Sequence, residues 1–161
     1  MESSILLTID GAVERPLSLG FEDLWAMPEE DRVVDVSRFH PARQGDGVSL
    51  DSLLRIAGPI PEANYLTLHA SRDDFHVSIP LAELRAEGIV VFRLGDERLA
   101  VAQGGPVRLI IRDPSACRST ELDDCANVKF LDRIELTVKK GRDTRPLDDV
   151  AHAALHEREK T

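Results

Sequence analysis

Gly104-Gly105-Pro106-Val107-Arg108 leads directly into Leu109-Ile110-Ile111. Two adjacent glycines let a backbone turn at positive φ or approach another chain segment closely. Pro106 stiffens the exit, and residues 107–111 read as a strand. Arg108 therefore stands at a strand mouth among apolar neighbours. A guanidinium there carries a high desolvation cost unless an anion accompanies it. That anion can be an internal Asp or Glu, the commoner outcome on spacing alone, or a ligand phosphate bound in bidentate fashion.

Other strands and short helices flank this stretch on both sides. Residues 5–10 are β-rich and stop at Gly11. Residues 13–17 contain Pro16, which lacks an N–H and suits an edge or turn. Ser18 is the expected N-cap of a helix over residues 21–27, closed by Pro28. Residues 32–37 read as a strand and residues 39–47 as a loop. A second helix begins at Ser49, carries Leu50, Leu53, Leu54 and Ile56, and ends at Gly58-Pro59. Residues 65–68 form a central strand. Residues 75–79 alternate and read as half-buried. Pro80 leads a short helix through Leu81 and Leu84. Residues 89–94 form a strand that turns at Gly95-Asp96. Residues 128–138 form the last strand, and residues 147–158 a C-terminal helix. This mixed order is an α+β domain rather than a βαβ series. One domain spans 1–161, with a core over about 5–138 and a partly helical tail over 139–161.

Composition narrows the function. The chain has 161 residues, 42% hydrophobic and 30% charged. No apolar run approaches the roughly 20 residues that span a bilayer. The start, Met1-Glu2-Ser3-Ser4, lacks a secretory pattern, so a cytoplasmic location is expected. The net charge of −9 opposes phosphate backbones and anionic lipid. Nucleic acid and membrane are therefore not expected partners.

Few motifs carry chemistry. Asn127-Val128-Lys129 opens the expected final strand, where two polar residues can present donors to an oxyanion; a solvated strand end is the plainer reading. Cys117 and Cys125 are read as ordinary thiols in or near a loop, with a disulfide or redox pair as the alternative. His152 and His156 stand four apart without the glutamate of a His-Glu-x-x-His motif, so they are read as a solvated helix. His40, His69 and His76 show no metal-ligand spacing. There is no Gly-x-Ser-x-Gly elbow and no phosphate-binding P-loop.

Taken together, the segments resemble the molybdopterin-binding domain of the sulfite oxidase family, which includes the catalytic subunit of the protein-methionine-sulfoxide reductase. The resemblance starts with Leu7-Thr8-Ile9-Asp10-Gly11-Ala12-Val13 and Pro16, and continues through the helix expected after Ser18. Gly47-Val48-Ser49-Leu50 with Leu53-Leu54 is similar to the family's Gly-Val-x-Leu…Leu-Leu helix. Tyr65 to Pro80 resembles its strand, turn and Ser-Ile-Pro exit. Gly105-Pro106-Val107-Arg108-Leu109 is similar to Gly-x-Pro-Leu-Arg-Leu. Val128-Lys129-Phe130-Leu131 with Ile134-Glu135-Leu136-Thr137 is similar to Val-Lys-Trp…Ile-Glu-Leu-Thr.

The resemblance implies a sulfite-oxidase-like fold of mixed sheets with short helices, and a molybdenum–molybdopterin cofactor without haem. It assigns Arg108 and Lys129 to the pyranopterin and its phosphate, with Asn127, Val128, Gln103 and Ser71 assisting. Active members place a molybdenum-binding cysteine before the Gly-Val-x-Leu helix. Here Val34-Asp35-Val36-Ser37-Arg38-Phe39 has none, and Ser37 is the nearest, harder ligand. The chain also begins almost at the first domain strand, where family members carry an earlier segment. The expectation is a degenerate oxidoreductase-like domain that keeps part of the pocket. The alternatives are a cofactor-free binding or interaction module of the same fold, or a subunit sharing its site with a protein partner.

Overall fold

Leu7 and Ile9 are fully buried, while Thr8 and Asp10 between them are only partly so. This period of two puts one strand face on the core, and the strand over residues 133–137 repeats it. The computed structural model describes residues 5–36, 45–111 and 128–141. In chain order the elements are β1 (Leu7–Gly11), β2 (Leu17–Leu19), α1 (Phe21–Trp25), β3 (Arg32–Val33), β4 (Asp46–Ser49), α2 (Leu50–Ala57) and β5 (Tyr65–Ala70). Then follow β6 (Phe75–Pro80), α3 (Leu81–Glu87), β7 (Gly88–Leu94), β8 (Glu97–Arg98), β9 (Arg108–Ile111) and β10 (Arg133–Thr137).

The first sheet has the order β2-β1-β10-β5-β6. Only its β1–β10 pair is parallel, with Ile9 opposite Ile134; the other pairs are antiparallel. The second sheet runs β3-β4-β7-β8, and β9 pairs with β7. The parallel pair closes the chain, because it joins the first described strand to the last. Arg133 on β10 also donates to Asp10 on β1 at 2.8 Å. That hydrogen bond holds the Arg133 guanidinium above its ordinary pKa, while partial burial acts the other way.

One core takes Leu7, Ile9, Leu66, Leu68, Ile134 and Leu136 from the first sheet. The second sheet adds Val48, Val90, Phe92, Leu109 and Ile111, and the helices add Leu53, Leu54 and Leu84. Each fully buried aliphatic side chain contributes about 1.5–3 kcal/mol relative to exposure. The second sheet has a further cluster on its opposite face: Val33, Val36, Ile89, Val91, Leu99 and Ile110. Burial of both faces explains why Ile89-Val90-Val91-Phe92 reads as an unbroken apolar run.

The helix from Ser49 forms as expected. The Ser49 hydroxyl accepts the Ser52 N–H at 3.2 Å, and Gly58 closes α2 at φ 69°. The first helix differs from expectation. Ser18 lies inside β2, and Gly20 is the cap, its N–H donating to Asp23 Oδ2 at 2.7 Å. Residues 46–49, read mostly as loop, form a strand. Residues 32–37 keep only two strand residues, since Asp35 turns the chain at φ 58°. β6 is buried on both faces, not half-buried: His76 and Ser78 meet His69 and Thr67 across the pair, at 2.7 and 3.3 Å. The C-terminal helix over 147–158, with His152 and His156, lies outside the described residues, as do His40, Cys117 and Cys125. Among the described residues no helix is long and apolar enough to cross a membrane.

Candidate cofactor-binding site

The turn ahead of β9 is built by backbone demands that only glycine meets. A short 3-10 turn over Val101–Gln103 ends at Gly104, whose φ is 92°. The Gly105 N–H donates to the Ala100 carbonyl at 2.9 Å. A Cβ on Gly105 would stand 1.9 Å from the Leu99 oxygen, inside any tolerable contact. Both expected uses of the glycine pair therefore occur, one at each residue. Gly105-Pro106 is a cis peptide.

A second segment, residues 128–132, lies against this turn. Val128 O accepts Leu109 N–H at 2.9 Å, Phe130 N–H donates to Gly104 O at 2.9 Å, and Leu131 N–H donates to Val107 O at 2.8 Å. These residues were expected to open the last strand. They form a loop instead, with Phe130 at φ 56°, and the strand starts only at Arg133. The backbone bonds of residues 128–131 are spent on β9 and its turn, and Asp132 is the first to bond the first sheet, at Thr8 N–H and the His69 carbonyl.

Arg108 and Lys129 meet across Gly104. A Cβ placed on that glycine would stand 3.1 Å from Arg108 Nη1 and 3.2 Å from Lys129 Cγ. The missing side chain is what lets the Arg108 guanidinium and the Lys129 stem pack closely against the same turn. Arg108 is 3% exposed, and its Nη1 donates to the Gln103 carbonyl at 3.0 Å. Lys129 is exposed. One charge is thus held rigidly in the protein while the other stands at the surface beside it.

The remaining expected residues take different places. Gln103 orients Arg108 through its backbone oxygen. Val128 is 1% exposed, so its side chain packs in the core while its carbonyl anchors the loop. Ser71 opens an exposed 3-10 turn after β5, and its N–H donates to Asp132 Oδ1 at 3.1 Å. That bond fastens Ser71 to the Lys129 loop. Asn127 and Ser37 lie outside the described residues. Sequence reasoning passed over Arg72, whose guanidinium lies 4.5 Å from the centre of the Phe130 ring. That stacking is a tertiary contact with no signature in local spacing.

Among the described residues no three His, Cys, Asp or Glu side chains converge in a way that could hold a metal ion. What the described residues offer an anion is a cradle of two cations at one glycine turn, the buried Arg108 guanidinium and the exposed Lys129. Such a set suits a phosphate, because guanidinium binds it bidentately and lysine adds a point charge.

Comparison with known families gives the same direction. The family described as the oxidoreductase molybdopterin binding domain matches residues 44–144. The chain belongs to that family. The matched stretch contains Ser71, Gln103, Arg108, Asn127, Val128 and Lys129, and it excludes Ser37. Among solved structures, the chain is similar to the sulfane dehydrogenase SoxCD from Paracoccus pantotrophus, with a TM-score of 0.62 and 24% identity. That likeness covers 87% of this chain and 40% of the other, so this chain spans well under half of the protein it matches. The likeness shows a sulfite-oxidase-like fold over most of this chain. No curated protein sequence matches significantly.

Proposed function

We propose that this molybdopterin-binding domain holds the phosphate of a molybdenum–pyranopterin cofactor between Arg108 and Lys129. The observation that supports the reading is the packing of Arg108 Nη1 and Lys129 Cγ against the same residue, Gly104. Arg108 supplies the fixed fork, and the Gln103 carbonyl sets its orientation. Lys129 supplies a mobile charge at the entrance. The 128–131 loop keeps the two in register through its bonds to Gly104, Val107 and Leu109. When bound, the cofactor supplies oxygen-atom or electron transfer, while the protein binds and orients it.

We propose further that the domain is degenerate as an oxidoreductase. Residues 34–39 contain no cysteine, so the soft thiolate that suits a redox metal is missing from that stretch. The same observation favours a second reading, a cofactor-free binding module of this fold.

One preparation separates the two. The full chain is expressed in a host that makes molybdenum cofactor, metal is measured by mass spectrometry, and pterin by fluorescence after oxidation. The first reading expects both, with occupancy falling in Arg108→Ala. Protein from a competent host that carries neither sinks the cofactor reading and leaves the second. Unchanged occupancy in Arg108→Ala rejects the role given to Arg108.

A further inference from the structure

Arg72 sits beside the cradle and has no task in it so far. Its guanidinium stacks 4.5 Å from the Phe130 ring centre. A guanidinium seated over a ring keeps N–H donors that the ring does not use. The turn that carries Arg72 is fastened to the loop that carries Lys129. Ser71 N–H donates to Asp132 Oδ1 at 3.1 Å, and Asp132 N–H donates to the His69 carbonyl at 3.0 Å.

The charge pattern points the same way. Arg15, Arg55, Arg85, Arg93 and Arg133 each meet an Asp or Glu within 4.0 Å, as expected in a chain of net charge −9. Among the described residues, Arg72 and Lys129 form no such pair. Two exposed cations without carboxylates thus stand on adjoining, mutually tied turns.

We infer that Arg72 is a further oxyanion-binding residue at the outer rim of the Gly104 cradle, held ready by its stack on Phe130. The inference rests on the anion-pocket reading above. The ligand chemistry is a tetrahedral oxyanion, either the cofactor's own phosphate or a separate small anion bound beside it.

The test uses the full chain from two hosts, one unable to make molybdenum cofactor and one competent, with inorganic phosphate as the calorimetric probe. Cofactor-free wild-type protein is expected to bind phosphate. Arg72→Ala should weaken it about tenfold, the size of one charge-assisted hydrogen bond. Arg72→Lys should lose less, and Phe130→Leu should weaken binding through loss of the platform. Circular dichroism checks that each variant folds. Unchanged phosphate affinity in Arg72→Ala, with binding abolished in Arg108→Ala, overturns the inference and leaves the pocket standing. Arg72-dependent phosphate binding by a chain that never takes up cofactor supports the inference and overturns the cofactor reading. If only the cofactor binds, its occupancy in Arg72→Ala is the measure, and an unchanged value overturns the inference. A wild-type chain that binds neither ligand overturns both. Phosphate binding that disappears on cofactor loading assigns Arg72 to the cofactor's phosphate; binding that persists assigns it to a separate anion.

Discussion

The Nδ1 atoms of His69 and His76 face each other across the β5–β6 pair at 2.7 Å. Strand register sets this contact, because the two residues are direct cross-strand partners. Both are buried, at 8% and 6% exposure. Each outer nitrogen meets a carboxylate: His69 Nε2 lies 3.0 Å from Glu135 Oε1, and His76 Nε2 lies 2.9 Å from Asp74 Oδ1. A bond between two Nδ1 atoms requires one to donate and the other to accept, so the rings hold opposite roles. Glu135 continues the chain toward Arg133, which is bonded to Asp10. A polar network thereby links four strands, β6, β5, β10 and β1, on the face of the sheet away from the main core.

The two histidines should therefore behave as a unit. His76→Leu removes the partner of a buried His69 nitrogen and should cost about 1–3 kcal/mol. His69→Leu should cost a similar amount. The double variant replaces the polar pair by an apolar one of similar volume and should cost clearly less than the sum. Urea denaturation of the four proteins gives the coupling. Additive losses would show that the 2.7 Å contact contributes nothing of its own.

Local patterns carried much of the fold. Ser49 and Gly58 bracketed α2 because capping is written in neighbouring residues. The runs over 89–94 and 107–111 were legible as strands because both faces of the second sheet are buried. β4 was missed because Gly45 and Gly47 read as loop, whereas Gly47 is a glycine for a tertiary reason, the approach of β7. β6 was misread because burial of His76 and Ser78 depends on partners on β5. In the site, Arg108 and Lys129 were visible as cations at segment ends, and the resemblance joined them. Their meeting across Gly104 was not visible, since it depends on how residues 128–131 fold back onto β9. Arg72 left no mark for the same reason.

Gly47→Ala should be among the most damaging small substitutions in the chain. Its Cβ would stand 2.1 Å from the Val90 oxygen and 2.9 Å from Val91 Cα, both backbone atoms that cannot rotate away. β4 must then separate from β7, and we expect a loss of about 3 kcal/mol. Gly95→Ala is the contrast. It has open space but a φ of 62°, so only the left-handed conformation resists, at about 1 kcal/mol. Thermal and urea unfolding of the two variants should rank them in that order; equal losses would mean that the close approach at Gly47 relaxes easily.

The start of α2 offers a smaller effect. Ser49 accepts the Ser52 N–H, and Ser52 Oγ in turn donates to the Ser49 carbonyl at 2.7 Å. Ser49→Ala should cost about 1 kcal/mol and Ser49→Gly only a few tenths. Asp at this position should retain most of the stability. A Ser49→Ala chain as stable as wild type in urea would show that the side-chain cap adds nothing to α2.

Gly104 joins fold and binding in one residue, so its substitution should move both. Alanine there must adopt a φ of 92°, and its methyl must fit 3.1 Å from Arg108 Nη1 and 3.2 Å from Lys129 Cγ. The conformational strain alone is about 1–2 kcal/mol. The methyl also pushes Arg108 Nη1 and the Lys129 stem apart, and with them the two cations proposed to hold the phosphate. Gly104→Ala should therefore lower stability by about 2 kcal/mol and reduce cofactor or phosphate binding together. Lys129→Ala separates the two effects. Its side chain is exposed, so stability should change by less than about 0.5 kcal/mol, while anion binding falls. Urea unfolding and phosphate calorimetry on both variants give the comparison. Wild-type phosphate affinity in Gly104→Ala would move the anion away from the Arg108–Lys129 pair, whatever its effect on stability.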